Sequence, residues 1–286
     1  ADQIVHSEAV NSLAALKIIN GYTDGTYKPA KTVTRAEMCK LIATVLNGGK
    51  DPVLTTTTTS YTDTKGHWAA GYIEYCTSLG IVAGVGNNKF DPDATVTAEQ
   101  AAKMLLIAQG YNAEVEGLVG TRWAANTNVL ANQNGLYKEL EDITTAEGLS
   151  REHAAQMIYN ALDATVIVQS KSVNKLTGEV ITTYAPNEEG QDIAEKYLGL
   201  LTTIGVIENI AYNEDKAEYT YYVVTSRTAQ STNVSIFTTG TDYTDLFAQK
   251  VKVMYKSEKG KSVVYGICPE DSSVVVSALF GDIKLN

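Results

Sequence analysis

The sequence predicts an α+β multidomain chain, with helical repeats first and a β-rich region after them. Two observations carry this expectation. Shifted by 63 residues, the beginning of the chain matches the next stretch of sequence without a gap, and after Val168 the apolar periodicity changes from helical to alternating. At 286 residues the chain is also long enough for more than one domain.

The repeat comes first. Leu16, Ile18, Ile19, Gly21, Tyr27, Pro29, Val33 and Thr34 meet Leu79, Ile81, Val82, Gly84, Phe90, Pro92, Val96 and Thr97. The shared pattern is a helix, a glycine-containing turn, an aromatic-x-Pro loop and a capped second helix. Tyr72, Tyr75, Cys76 and Leu79 make the apolar stripe of a first helix. Thr34 with Glu37 and Thr97 with Gln100 read as capping boxes, in which hydroxyl and N3 side chain satisfy reciprocal helix-start donors. Met38, Leu41, Ile42, Val45 and Leu46 supply the buried stripe of a second helix. A third copy is weaker. Trp123 answers Trp68 at an offset of 55, Ser150 answers Thr97 at 53, and the aromatic-x-Pro loop between them is lost. Residues 55–60, TTTTTS, read as an exposed extended connector.

Composition narrows the function. Lys and Arg number 23 against 33 Asp and Glu, a net charge of -10. Neither side of Val168 is basic, with 12 basic and 18 acidic residues up to it and 11 and 15 after it. That argues against a nucleic-acid partner, which needs a cationic face. No apolar run approaches the roughly 18 residues of a membrane span. The opening ADQIVHSEAV lacks an initiator Met and reads as a processed or truncated product. Three cysteines do not make a disulfide scaffold; Cys39 and Cys76 read as small buried thiols, and Cys268 ends a strand-like run. Three cysteines and three scattered histidines do not converge on a zinc site by spacing, so no metal and no cofactor is expected.

GYTDGTYKP followed by VTRAE, and YTDTKGHWAAGYIEYCTSLGIVAG followed by FDP and VTAEQ, resemble surface-layer homology (SLH) repeats. These occur, typically in threes, on exported proteins of Gram-positive and related bacteria. The resemblance covers residues 1–168 and implies three repeats, at 1–50, 51–112 and 113–168, in a pseudo-threefold helical prism. It also implies non-covalent binding of secondary cell-wall polysaccharide in grooves between adjacent repeats. In that family a groove uses an Asp and a Trp near the start of one repeat and the TRAE arginine of its neighbour. Arg35 matches that arginine, and Asp63 and Trp68 match the entry Asp and Trp, giving one groove with its set intact. In the next, Ala98 and Leu118 stand at the arginine and Asp positions and Trp123 remains. The last keeps Arg151, but its Asp would fall at or before Ala1.

Such a set makes chemical sense. A guanidinium is a planar fork for carboxylate, ketal-linked pyruvate or phosphate on a wall polymer. Asp63 could accept sugar hydroxyls, and Trp68 offers a flat apolar face to a pyranose ring. Plainer roles stand beside these. Trp68 and Trp123 could anchor a core, Arg35 could pair with Glu37 or Glu8, and Asp63 could cap a helix near His67. His67 and His153 read as structural polar residues.

The remaining stretch, 169–286, reads as a β-rich barrel or sandwich serving assembly or display. EYTYYVVT, KVKVMYK, SVVYGIC, GVIENIAY and SSVVVSAL are strand candidates, with turns at 213–215 and 258–260 and a short helix over 192–201. No HExxH, GxSxG, Walker loop or GxGxxG in a βαβ setting is present, and NGYTDG fails as a calcium loop. The expectation is a non-catalytic, secreted S-layer-like protein of the cell wall, anchored to polysaccharide or peptidoglycan and self-associating in a lattice. A second reading is an adhesin or filament subunit whose repeats make protein contacts; a wall-anchored hydrolase is third.

Overall fold

The computed structural model describes residues 3–52 and 59–270. The threonine-rich connector falls mainly, and the SSVVVSAL strand candidate wholly, outside those residues. The chain divides into two compact units, Ala1–Gly199 and Leu200–Asn286.

Three helix pairs form most of the first unit: α1 (Ser7–Ala15) and α2 (Arg35–Leu46), α3 (Ala70–Ser78) and α4 (Ala98–Gln109), α5 (Trp123–Gln133) and α6 (Arg151–Leu162). Both capping boxes form. Thr34 Oγ1 accepts from the Glu37 N–H while Glu37 accepts from the Thr34 N–H, and Thr97 and Gln100 do the same. Ser150 caps α6 by accepting from the His153 N–H.

These caps meet in a ring. The Val33 N–H donates to the Leu149 carbonyl, Leu149 to Val96, and Val96 to Val33, each at 2.9 Å. All three side chains are buried. The next donors of each helix start, which have no partner inside the helix, are also met by a neighbouring copy. Ala36 donates to Pro92, Glu99 to Thr145 and Glu152 to Pro29. The two prolines therefore shape loops whose carbonyls receive helix starts, and Thr145 does this work where the third copy lost its proline. Around the ring α2 packs on α3, α4 on α5 and α6 on α1. An antiparallel hairpin, β1 (Ile167–Val173) and β2 (Val180–Pro186), and one π-helical turn, Ala194–Leu198, complete the unit. The turn is shorter than the helix expected over 192–201.

The second unit is one antiparallel sheet in the order β5-β4-β3-β6-β7. Its strands are β3 (Leu201–Asn213), β4 (Glu218–Arg227), β5 (Thr232–Thr239), β6 (Lys250–Glu258) and β7 (Lys261–Pro269). Alternation selects the buried face: Tyr221 and Val223 on β4, Val251 and Val253 on β6. The β6–β7 turn places Lys259 and Gly260 at positive φ, as a two-residue hairpin with right-twisted strands requires. Gly205 allows β3 to approach β4, because a Cβ there would meet the Val224 carbonyl oxygen at 2.5 Å.

The sheet curls strongly. In a flat sheet β5 and β6 would lie about 14 Å apart, three strand spacings, yet the Phe237 and Tyr255 rings are 4.9 Å apart. Bulges in the β3–β4, β4–β5 and β6–β7 ladders add the twist that permits this. Phe237 of one edge and Ile267 of the other thus share a core. Among the described residues no ladder joins β5 to β7, and the second unit contains no other sheet. Among the described residues the expected barrel or sandwich is therefore corrected to an open, curled five-stranded sheet, whose bulged ladders bring both edges onto one small core.

Candidate functional site

The arginines at the starts of α2 and α6 are fixed in the same manner. Arg35 donates from Nε to the Phe90 carbonyl and from Nη2 to the Ala83 carbonyl, both at 3.0 Å, with its guanidinium 4.3 Å from the Phe90 ring centre. Arg151 donates from Nε to Tyr27 and from Nη2 to Asn20, also at 3.0 Å, and lies 4.8 Å from the Tyr22 and Tyr27 rings. Phe90 and Tyr27 are the aromatics of aromatic-x-Pro, so that motif supplies a carbonyl and a ring to a neighbouring copy's arginine. Burial lowers the Arg35 pKa from its ordinary value, but a guanidinium remains charged at neutral pH. Gly84 is required beside this hook: a Cβ there would meet the Lys89 carbonyl oxygen and the Tyr61 ring at 2.6 Å.

Each arginine borders a groove. One, of about 230 Å³, is lined by Ile18, Asn20, Glu37, Lys40, Trp68 and Arg151. The other, of about 330 Å³, is lined by Ile81, Ala83, Gln100, Lys103, Trp123 and Arg35. The two sets correspond position by position through the repeat. Each combines an indole, a guanidinium, an ammonium and an amide or carboxylate over an aliphatic floor.

The expected trio of Arg35, Asp63 and Trp68 is divided by this geometry. Trp68 shares its groove with Arg151, and Arg35 shares the other with Trp123, because each arginine hooks a loop of one copy while the indole comes from the next. Trp68 is 57% exposed, so it is no core anchor. Trp123 is half-buried, with Lys103 Nζ 5.7 Å from its ring centre. Burial lowers the Lys103 pKa. Lys40 and Lys103, 63 residues apart, went unselected in the sequence; their exact repetition was the available signal. Arg35 is held by carbonyls rather than by Glu37 or Glu8. His67 accepts the Ala69 N–H at Nδ1 and faces Asp93, a structural arrangement.

Asp63 lines neither groove. Its two carboxylate oxygens accept the Phe90 N–H at 2.9 Å and the Asp91 N–H at 2.8 Å, fixing the loop that holds Arg35. Burial pushes this carboxyl up, but the backbone donors outweigh it and the net shift is downward. A carboxyl lowered by folding contributes stability that is complete above the ordinary Asp value of about 3.9 and is lost as pH falls through the lowered value. Asp63→Asn should therefore melt below the parent at pH 7, with the gap narrowing in acid. A gap that stays constant from pH 7 into the carboxylate range would rule out this charge-assisted role.

Comparison with known proteins matches two stretches of this chain to a known domain family. The S-layer homology domain matches residues 3–39 and 60–102, which include both aromatic-x-Pro loops and the starts of α2 and α4. The chain carries S-layer homology domains. A surface layer protein of Brevibacillus choshinensis is 26% identical over 96% of this chain, which covers 25% of that protein. A cell surface protein of Thermoanaerobacter kivui is 34% identical over 38% of the chain, covering 15% of that protein. An exoglucanase of Acetivibrio thermocellus is 29% identical over 54%, again covering 15%. The chain thus spans a quarter or less of these relatives' lengths. Residues 3–39 and 60–102 are thus S-layer homology sequence, and the relatives that share it include surface layer and cell surface proteins.

Proposed function

We propose that the S-layer homology repeats hold this protein non-covalently on secondary cell-wall polysaccharide, through the Trp68–Arg151 and Trp123–Arg35 grooves. The observation that carries this reading is the duplication of one groove composition at two equivalent positions. An indole face suits a pyranose ring, and the guanidinium donors not used by carbonyls suit an anionic substituent. The backbone ring through Val33, Val96 and Leu149 supports the pseudo-threefold prism, with repeats at 1–50, 51–112 and 113–168. The region from 169 onward serves assembly or display, including self-association in a surface lattice, and the chain is non-catalytic.

The test is co-sedimentation with purified sacculi before and after chemical removal of the secondary polysaccharide. Trp68→Ala and Trp123→Ala run beside the parent, with circular dichroism and melting verifying the fold. Binding should disappear on stripping and weaken in each variant. Equal binding to stripped and intact sacculi would overturn the reading in favour of protein contacts by the repeats.

A further inference from the structure

The ring has a third position equivalent to the two grooves, and its chemistry has changed. By the repeat correspondence Ala98 stands there for the arginine, Val5 for the indole and Gln156 for the ammonium. Ala98 and Gln156 are buried, whereas Val5 is exposed. At this position lie His6, Asp142 and His153. One ligand atom from each falls within 4.8 Å of those of the other two.

These groups come from three separate segments. His6 is the N-cap residue of α1, where its side chain makes no capping bond. Asp142 lies between α5 and α6. His153 occupies the N3 position of α6, taken in the other copies by Glu37 and Gln100. Those two side chains fold back onto the N-cap N–H, as carboxylate and amide oxygens can. In the third copy the ring instead turns to Asp142, with Nε2 3.4 Å from Oδ2, and meets the His6 ring edge-on at 5.5 Å. Side-chain hydrogen bonds hold the segments that carry both histidines. The Val5 N–H donates to Glu152 Oε2 at 3.0 Å, Tyr159 donates to Glu8 at 2.7 Å, and the His153 N–H is held by Ser150.

We propose that His6, Asp142 and His153 bind a divalent cation of the zinc class, clasping the start of α1 to α6. The donor set selects the metal. Two imidazole nitrogens and one carboxylate oxygen suit a borderline ion such as Zn²⁺, with bonds of about 2.0–2.2 Å and a position left for water. Calcium and magnesium take oxygen ligands instead. Tetrahedral ligand atoms at those bond lengths lie about 3.3 Å apart, so small side-chain rotations close the cluster. Both rings are partly buried, whereas the Asp142 side chain is 69% exposed and free to adjust. The flanking carboxylates of Glu8 and Glu152 favour a cation. Sequence spacing hid the site because no two ligands are close in the chain. The proposal is independent of whether the grooves bind polysaccharide.

The experiment is calorimetric titration of the tag-free chain with zinc chloride, alongside melting curves with zinc, zinc plus EDTA, or calcium. One zinc per chain is expected, with a melting temperature that rises with zinc and falls back with EDTA. Cobalt in place of zinc should give visible bands of a low-coordinate site. His6→Gln and His153→Gln should each lose more than the roughly 10–100-fold that removal of an outer-sphere partner costs. His67→Gln, the chain's other histidine, should bind as the parent does. Metal-free melting of each variant separates lost binding from lost folding, and exposed Asp142→Asn gives a third variant with little structural burden. No saturable zinc binding, equal stabilisation by calcium, or undiminished zinc affinity in His6→Gln and His153→Gln would overturn the proposal.

Discussion

Replacing Phe90 by alanine is expected to lower the stability of the first unit by about 3–5 kcal/mol, as removal of a fully buried phenyl ring does. Phe90 is wholly buried, its ring 5.3 Å from Tyr61 and 4.3 Å from the Arg35 guanidinium. Its peptide is also held, the N–H by Asp63 and the carbonyl by Arg35. Alanine keeps both backbone bonds but leaves a cavity beneath a guanidinium that has lost its ring platform. The urea midpoint of the first unit's transition should fall with little change in slope. Phe90→Leu should lie between parent and alanine. A loss below about 1 kcal/mol, the level of an ordinary surface change, would contradict this account of the loop.

That loop also shows how far the sequence could be read. The starts of α2 and α4 were legible because a capping box is a contact between residues three apart, and it recurs at 63. Strands β4 and β6 were legible because each alternates over one buried face, and most of β7 because it is a short apolar run beside a turn signal. The β1–β2 hairpin went unseen because its outer residues are largely exposed threonine, serine and lysine, with no core face to impose alternation. Edge strand β5 buries only Phe237 fully, too little to mark a period. The open sheet could not be told from a barrel because closure depends on register and bulges rather than on composition.

The candidate groove residues were found, but their grouping was not. Arg35, Trp68, Trp123 and Arg151 all line a groove, as motif matching implied. Which indole faces which arginine depends on the direction in which the copies close around the Val33–Val96–Leu149 ring, and no spacing records that direction. Asp63 was selected as a ligand-facing carboxylate, yet its oxygens serve two backbone donors of its own repeat. His6, Asp142 and His153 escaped for a related reason, since His6 comes from the first copy and the other two from separate segments of the third.

On the proposed reading, two grooves on one rigid ring should make affinity depend on polymer length. A fragment long enough to occupy both gains from effective concentration, which can raise affinity by about 10²–10⁴-fold over a single groove without any new contact. Trp68→Ala should therefore cost long polysaccharide about that factor, and Trp123→Ala likewise. A short oligosaccharide fills one groove at a time, so loss of either groove should lower its capacity while leaving the remaining affinity nearly unchanged. The double variant should bind neither, because the third position offers Ala98 and Val5 where an arginine and an indole would be needed. Titrating size-fractionated polysaccharide against the three variants reads all of this directly. If long and short fragments lost affinity by the same factor, the two grooves would not be engaging one chain together. Residual binding in the double variant would place a carbohydrate contact outside both.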